Sequence, residues 1–324
     1  MVFLALIGGY IITSLILLKY PNLIHKKKHL KFRAKHISHR GGAAERLENT
    51  MEAFTHAETV GTDMFELDCH LTKDLQVVVS HDDHLNRTCG SQIQISQTLY
   101  KDLPLLQDGI KVDFYQTLRG TGEDRRIPLL KEVFESFPHM PINIDIKVDD
   151  DLLIQQVNEL IKQYNREEIT AWGNRSDTVC QKLYRINPRV PLIFSMRRVI
   201  HLIILFWTGL LPFVSIKESL LEIIMPGILL SSEGMSDLHF SSKARFLFWL
   251  SDKLLMRPAL FEHLDKRGIQ TYLWVLNREQ DFERAFKLGA AGVMTDRIVL
   301  LKEYLDKAGH EGSQGDHLIS RRCP

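Results

Sequence analysis

Short stretches of the chain alternate apolar and polar positions, and longer stretches between them place apolar residues three and four positions apart. The first pattern is typical of β-strands and the second of amphipathic helices. Strands that alternate with helices predict βαβ units and a parallel sheet. The predicted strands are 36–39, 63–70, 76–80, 141–147, 168–172, 190–195, 270–276 and 292–295, and the predicted helices are 50–60, 129–137, 152–164, 177–186 and 279–289.

Eight predicted strands indicate an α/β protein whose main domain is a (β/α)8 TIM barrel over residues 36–303. Asn49 is placed to cap the first barrel helix. The polar, turn-rich residues 83–125 predict a small insertion after the third strand, and the polar residues 304–324 predict a flexible tail.

An uncharged run, 2–18, lies near the start of the chain and is followed by Lys19, Tyr20 and further basic residues. A signal peptide would carry a basic region before the apolar run and a small-x-small site after it, and neither is present. We therefore predict a single transmembrane anchor in the lipid bilayer, with residues 1–35 as anchor and basic neck. Basic flanks favour the cytosolic face, so we expect a cytosolic barrel.

Two later stretches are unusually apolar for a soluble barrel. Residues 199–214 are mostly apolar but are interrupted by Gly209 and Pro212, and they are short for a membrane span. They form either a buried barrel helix or a second membrane-associated segment. Residues 246–256, which include Trp and Phe, favour an interfacial position, and the sequence leaves both interpretations open.

Charge and cysteine content exclude some classes of function. The chain has 41 Lys and Arg against 40 Asp and Glu, a net charge of +1. This balance creates no field that attracts nucleic acid, so we expect no nucleic-acid partner. The four cysteines lack CxxC spacing, which indicates neither a zinc knuckle nor a disulfide framework.

The strand 63–70 carries acidic residues on one face. Glu66 and Asp68 alternate with apolar neighbours, so both point the same way. The outer face of a barrel packs against helices, which would turn these carboxylates into the lumen, where they need a compensating cation or proton. Oxygen ligands favour Mg²⁺ or Ca²⁺. A solvated face of an exposed sheet is the alternative.

The strand 141–147 repeats this pattern. Its isoleucines lie on one side, and Asn143, Asp145 and Lys147 lie on the other. Because three β-branched residues need burial, a barrel accounts for both sides of the strand. We interpret Asp145 as a third metal carboxylate and Lys147 as a clamp for a phosphate.

Two histidines follow predicted strands, where loops form the catalytic rim of a barrel: His39, before a glycine pair, and His81. One imidazole could remove a proton from an attacking oxygen while the other protonates the leaving oxygen, as cleavage of a phosphodiester requires. The sequence does not assign the two roles. A structural role for either residue is the alternative.

Seven motifs follow one another in order between about residues 36 and 300. They are His39-Arg40-Gly41 with Glu48-Asn49-Thr50, Glu66-x-Asp68, His81-Asp82, Asn143-x-Asp145-x-Lys147, Trp274-Val275-Leu276-Asn277 and Gly292-Val293-Met294-Thr295-Asp296. Together they resemble the signature of the glycerophosphodiester phosphodiesterase family. The apolar N-terminus and basic neck are similar to its membrane-anchored lysophospholipase D branch.

The resemblance implies roles for individual residues, and at Asp145 the sequence departs from the family pattern. Asp145 stands where many members have Glu, which shortens the reach toward a metal. Trp274 would form a wall of the substrate pocket, or a core aromatic of the barrel. The implied roles are one divalent cation, Mg²⁺ or Ca²⁺, on Glu66, Asp68 and Asp145, catalysis by His39 and His81, and phosphate binding by Arg40 and Lys147.

The implied activity is metal-dependent hydrolysis of glycerol-based phosphodiesters. The expected substrates are lysophospholipids such as lysophosphatidylcholine, which would give lysophosphatidic acid and choline. Water-soluble glycerophosphodiesters are an alternative, and so is a non-catalytic barrel that binds lipid. We expect the endoplasmic reticulum or perinuclear membrane as the location, and we predict no protein partner.

Overall fold

A computed structural model describes residues 2–113, 115–230 and 240–319 of the protein. Within these residues the strands are β1 (His36–Ser38), β2 (Met64–Leu71), β3 (Val77–Val79), β4 (Ile110–Val112), β5 (Tyr115–Gly120), β6 (Ile142–Ile146), β7 (Thr170–Gly173), β8 (Leu220–Ile224), β9 (Gln270–Trp274) and β10 (Gly292–Thr295). The helices are α1 (Val2–Lys19), α2 (Met51–Val60), α3 (Asn86–Cys89), α4 (Leu130–Ser136), α5 (Asp151–Gln163), α6 (Asp177–Ile186), α7 (Met196–Trp207), α8 (Ser242–Leu255), α9 (Pro258–Lys266), α10 (Glu279–Lys287) and α11 (Ile298–Ile319).

Seven parallel strands form the barrel, in the order β7, β6, β2, β1, β10, β9 and β8. The gap between β7 and β8 is bridged by Leu192, which pairs with Trp172, and by Ile193, which pairs with Leu220. These bridges close the ring where the sequence predicted the strand 190–195. The predicted (β/α)8 class is confirmed.

One strand assignment from the sequence was wrong, and one barrel strand was missed. The predicted third barrel strand, 76–80, corresponds to β3, which pairs with β2 antiparallel and lies outside the barrel ring. The barrel strand β8 was not predicted, because its apolar run lacks a regular alternation. Residues 83–125 lie between β3 and α4 and contain α3 and the antiparallel pair of β4 and β5.

Side chains on the barrel strands divide between two apolar environments. The outward residues of β2 and β6 pack against the surrounding helices, as the alternation predicted. The inward residues near the start of the strands form a second cluster, which we call the lumen cluster. Its buried members are Phe32, Ala34, Ile37, Met64, Ala171, Ile193, Leu220, Tyr272, Ala291 and Met294.

The basic neck packs into the barrel itself. Phe32 and Ala34 belong to the lumen cluster, and the side-chain amide of Gln270 donates to the carbonyl of Phe32 at 2.7 Å. Lys28 donates to two backbone carbonyls before β8. Gly292 lets the chain pass, because a Cβ there would lie 2.0 Å from the carbonyl oxygen of Ala34. The neck therefore closes the end of the barrel where the strands begin.

Helix α1 lies on the outside of the protein and is mostly exposed, with a mean hydropathy of 2.1. Its length and composition suffice to cross a membrane, and a signal sequence meets the same criterion. The last helix, α11, continues to Ile319, so the predicted flexible tail, 304–324, begins within it. Residues 320–324 lie outside the described residues.

Candidate active site

Acidic side chains line the lumen toward the carboxyl ends of the strands. In the register of β2 and β6, Glu66 is paired with Asn143 and Asp68 with Asp145. Glu66 and Asp68 are buried, and Leu67 between them faces the helices. The structure thus brings the three predicted metal carboxylates onto two neighbouring strands, with Asp68 and Asp145 directly opposite each other and Glu66 two residues before Asp68.

Cationic and amide groups surround Asp68. Its Oδ1 lies 2.9 Å from Lys147 Nζ, and its Oδ2 lies 3.4 Å from Arg40 Nε and accepts a hydrogen bond from Asn49. Burial opposes ionisation, but the two cations hold the pKa of Asp68 well below its usual range. Lys147 Nζ also lies 2.9 Å from Asp145 Oδ2. Asn49 therefore serves the site, and the N-cap of α2 that it was predicted to provide is instead Thr50, which accepts from Ala53.

Glu222 is a lumen carboxyl that the sequence analysis missed. Burial and the neighbouring Glu66 raise its pKa to about 8, and Asn143 donates to it at 2.5 Å. Burial and Asp68 likewise raise the pKa of Glu66 to about 7. A lone acid inside the apolar run of β8 was the signal that could have identified it, since a buried strand has no reason to carry one.

The turn after β1 places His39 in the lumen. Arg40 and Gly41 both have positive φ, at 50° and 81°, and a Cβ on Gly41 would lie 2.8 Å from Ala53 Cβ, so only glycine fits there. This turn also aims the backbone N–H of Arg40 at Glu66, at 2.9 Å. Gly41 is therefore needed to bring the imidazole and the carboxylate together.

His39 is held by a buried carboxylate. Its Nδ1 lies 2.6 Å from Asp296 Oδ1, and Asn277 donates to the other oxygen of Asp296 at 2.8 Å. Burial alone would lower the pKa of His39, but the charge and hydrogen bond of Asp296, together with the charge of Glu66, raise that pKa. With Nδ1 engaged, Nε2 faces the lumen, 3.9 Å from Glu66. Asp296 and Asn277 belong to the sequence motifs, but no local pattern indicated that they pair with His39.

His81 reaches the site on a segment that returns from β3. The backbone of the preceding residue donates to the carbonyl of Asp68 at 2.9 Å, which places His81 over the carboxylates. Its Nδ1 lies 2.6 Å from Asp82, whose other oxygen accepts from Arg87. The His81 side chain is 28% exposed, whereas that of His39 is 9% exposed. The more open histidine thus lies on the solvent side.

Arg40 is buried among acids. It forms ion pairs with Glu48 at 3.1 Å and with Asp113 of the insertion at 2.8 Å, as well as with Asp68. Arg87 also binds Glu48, at 2.7 Å. The insertion therefore contributes two charged residues, Arg87 and Asp113, that no local pattern indicated. Separately, Trp274 ends β9 and packs partly buried against the lumen cluster.

Within the described part of the chain, no three acidic, imidazole or thiol groups already converge closely enough to hold a metal ion. The donor chemistry still fits a hard divalent cation, because the three carboxylates lie on neighbouring strands of one lumen and supply the oxygen ligands that Mg²⁺ and Ca²⁺ prefer. Asp145 Oδ1 is buried and has no hydrogen-bond partner, which leaves it available to such a cation. In the structure, the ammonium of Lys147 lies between Asp68 and Asp145.

Comparisons with known proteins identify the family. The model of the glycerophosphoryl diester phosphodiesterase family matches residues 39–195. Lysophospholipase D GDPD1 of Rattus norvegicus is 55% identical over 304 residues, which cover 94% of this chain and 96% of that protein. The chain belongs to the glycerophosphoryl diester phosphodiesterase family. Lysophospholipase D GDPD3 of Homo sapiens is 37% identical over 94% of this chain and 95% of its own length.

Solved structures of family members share the barrel. A putative glycerophosphoryl diester phosphodiesterase from Silicibacter pomeroyi has a TM-score of 0.62 at 18% identity and covers 87% of this chain and 96% of its own. An Oleispira antarctica phosphodiesterase in complex with the product sn-glycerol-3-phosphate has a TM-score of 0.58 at 20% identity, covering 85% and 97%. These likenesses establish the fold of the family in this chain.

Proposed function

We propose that this family member is a divalent-cation-dependent phosphodiesterase that hydrolyses lysophospholipids such as lysophosphatidylcholine to lysophosphatidic acid and the head-group alcohol. The observation that carries the proposal is the lumen that joins three carboxylates to two histidines, one of them fixed by a buried Asp. The relatives named lysophospholipase D support the substrate class. Water-soluble glycerophosphodiesters remain the second candidate, because the lumen chemistry would serve both.

The carboxylates and cations of the site would bind the phosphate. Glu66, Asp68 and Asp145 would hold the cation, Mg²⁺ or Ca²⁺, which would neutralise phosphate charge and polarise the phosphorus centre. Lys147 and Arg40 would hold the phosphate oxygens, since both already point into the acidic cluster. Trp274, at the rim, would contact the glycerol or acyl portion.

The two histidines would divide proton transfer. His39 would take the proton from the attacking oxygen, either water or the free glycerol hydroxyl, because Asp296 stabilises the resulting imidazolium. The oxygen forms a bond to phosphorus as the bond to the head-group oxygen breaks. His81 would protonate that leaving oxygen, since its greater exposure suits an alcohol that departs to solvent. Attack by the hydroxyl would give a cyclic phosphate.

Head-group release tests this proposal. We expect choline release from lysophosphatidylcholine to exceed that from glycerophosphocholine at matched concentration. Glu66→Gln should abolish release without loss of the fold, whereas Glu135→Gln, on the exposed face of α4, should leave it unchanged. Undiminished release by the Glu66 variant would refute the assignment, and a reversed substrate order would favour the water-soluble class.

Metal dependence separates the enzyme from a lipid-binding barrel. Chelation should stop choline release, and Mg²⁺ and Ca²⁺ added back singly would identify the preferred ion. Lipid binding that persists without metal and without turnover would favour the non-catalytic alternative.

The proposed location is the membrane of the endoplasmic reticulum or the perinuclear membrane. Helix α1 would be the single anchor and the barrel would face the cytosol. Its apolar composition and the basic residues that follow support this orientation.

A further inference from the structure

Helix α7 is apolar on two opposite faces. Val199 and Leu202 are buried in the outer core of the barrel, while Ile200, Ile204 and Trp207 are 54%, 54% and 50% exposed. A helix on the surface of a soluble domain presents a polar outer face. The outer face of α7 is therefore suited to a medium or partner other than water.

This exposed face is continuous with α1. Phe213, just beyond α7, stacks on Tyr10 of α1 with ring centroids 6.2 Å apart, and Ser14 of α1 donates to the carbonyl of Gly209 at 2.7 Å. On its other side, Trp207 donates to the carbonyl of Leu254 in α8. We call the combined patch the apolar belt. Its half-exposed members are Ile200, Ile204, Trp207, Phe213, Phe246 and Trp249.

A basic groove runs beside the belt. It encloses about 680 Å³ between α6 and α7, and Ile200 and Ile204 line it together with basic side chains. Arg198 is neutralised by Glu218 at 2.8 Å, but Arg197 forms no ion pair with any residue in the described ranges, and Lys217 Nζ lies over the ring of Tyr184. The lining also contains the acid Asp177, but basic side chains in it are more numerous. The groove therefore offers positive charge next to apolar surface.

We propose that α7 lies in the interface of a bilayer that contains anionic phospholipids. The apolar belt contacts their acyl chains, and the groove of Arg197 and Lys217 receives their phosphates. Because the apolar belt is continuous with α1, the candidate membrane span, we expect a bilayer and not a protein to cover it. Helix α7 begins directly after the strand position 190–195, at the catalytic rim, so this contact places the rim beside the lipid. The inference does not rest on the proposed function.

Fluorescence quenching by brominated lipids tests the contact. The full chain is reconstituted in phosphatidylcholine vesicles, with or without phosphatidylserine, and with bromine on the acyl chains. We expect quenching of Trp207 and Trp249, which the paired substitutions Trp207→Phe and Trp249→Phe remove. Ile200→Asp with Ile204→Asp should reduce quenching at least ~2-fold, because a charge resists burial in the interface. Leu152→Asp, at an exposed apolar site of α5, is the matched control.

The charge of the groove is tested in the same vesicles. Phosphatidylserine should increase quenching, and Arg197→Gln with Lys217→Gln should cancel that increase while circular dichroism shows an intact fold. Equal fluorescence in brominated and plain vesicles would overturn the proposal, as would an equal effect of Leu152→Asp. If quenching were the same with and without phosphatidylserine, the proposed role of the groove would be refuted. None of these readouts requires turnover, so a failure here is distinct from a failure of the proposed activity.

Discussion

The pair of His39 and Asp296 gives the sharpest prediction for catalysis. Asp296 accepts from two donors, His39 Nδ1 at 2.6 Å and Asn277 Nδ2 at 2.8 Å. The substitution Asp296→Asn keeps the shape but replaces one acceptor oxygen by an amide that donates. If the new amide group faces His39, the imidazole must adopt the other tautomer, with its proton on Nε2. If the amide group faces Asn277 instead, the hydrogen bond with Asn277 is lost.

The size of the effect follows from burial. Asp296 is fully buried, and the His39 side chain is 9% exposed, so water cannot substitute for the lost carboxylate. Where an Asp that orients a catalytic His is replaced by Asn, kcat falls by about 10⁴-fold. We expect a loss of roughly 10³- to 10⁴-fold here, which is about 4–5.5 kcal/mol of transition-state stabilisation.

The assay is the initial rate of choline release from lysophosphatidylcholine, with kcat and KM determined separately. The loss should fall on kcat, since Asp296 acts through His39, whose Nδ1 it binds. Asp306→Asn is the matched control, because Asp306 pairs with Lys302 on the surface of α11. A variant Asp296→Asn that kept more than about a tenth of kcat would refute the assignment of His39 as the base.

Three further predictions concern stability and orientation. Because the pKa of Glu222 is raised from 4.5 to about 8, its native form favours the proton, so chelator-treated protein should lose thermal stability between pH 5 and 8. Glu222→Gln should reduce this loss to the part that Glu66 contributes, since the pKa of Glu66 is raised to about 7. Arg166→Met removes the side-chain donor to three backbone carbonyls and should cost about 3 kcal/mol in urea unfolding, whereas Arg189→Met, at an exposed ion pair, should cost less than about 1 kcal/mol. A cytosolic barrel cannot be glycosylated at Asn86 or Asn174, so glycosidase should cause no mobility shift, and a shift would place the barrel in the lumen of the organelle.

The barrel and its carboxylates could be predicted because burial acts on single strands. In β2 and β6 the outward residues must pack on helices, and this requirement alone turns Glu66, Asp68 and Asp145 inward. No knowledge of distant contacts is needed for that step. Alternation gives no strand direction, however, and β3 was therefore placed in the barrel although it runs antiparallel to β2.

The partners of the histidines and of Arg40 could not be predicted, because they depend on contacts between distant parts of the chain. Asp296 follows His39 by 257 positions, and Asp113 comes from an irregular insertion. Arg40 was expected to bind phosphate together with Lys147, and the fold also surrounds it with three acids. Such pairs arise from closure of the ring, which no local pattern of residues encodes.

The position of Phe32 and Ala34 among the inward residues makes the segment after α1 a structural plug rather than a tether. Removing residues 1–35 to obtain a soluble enzyme would uncover the lumen cluster and leave the amide of Gln270 without its partner. A truncation that ends before Lys28 would remove α1 and keep the plug. The segment that follows α1 is thus part of the barrel fold, and its removal should destabilise the barrel.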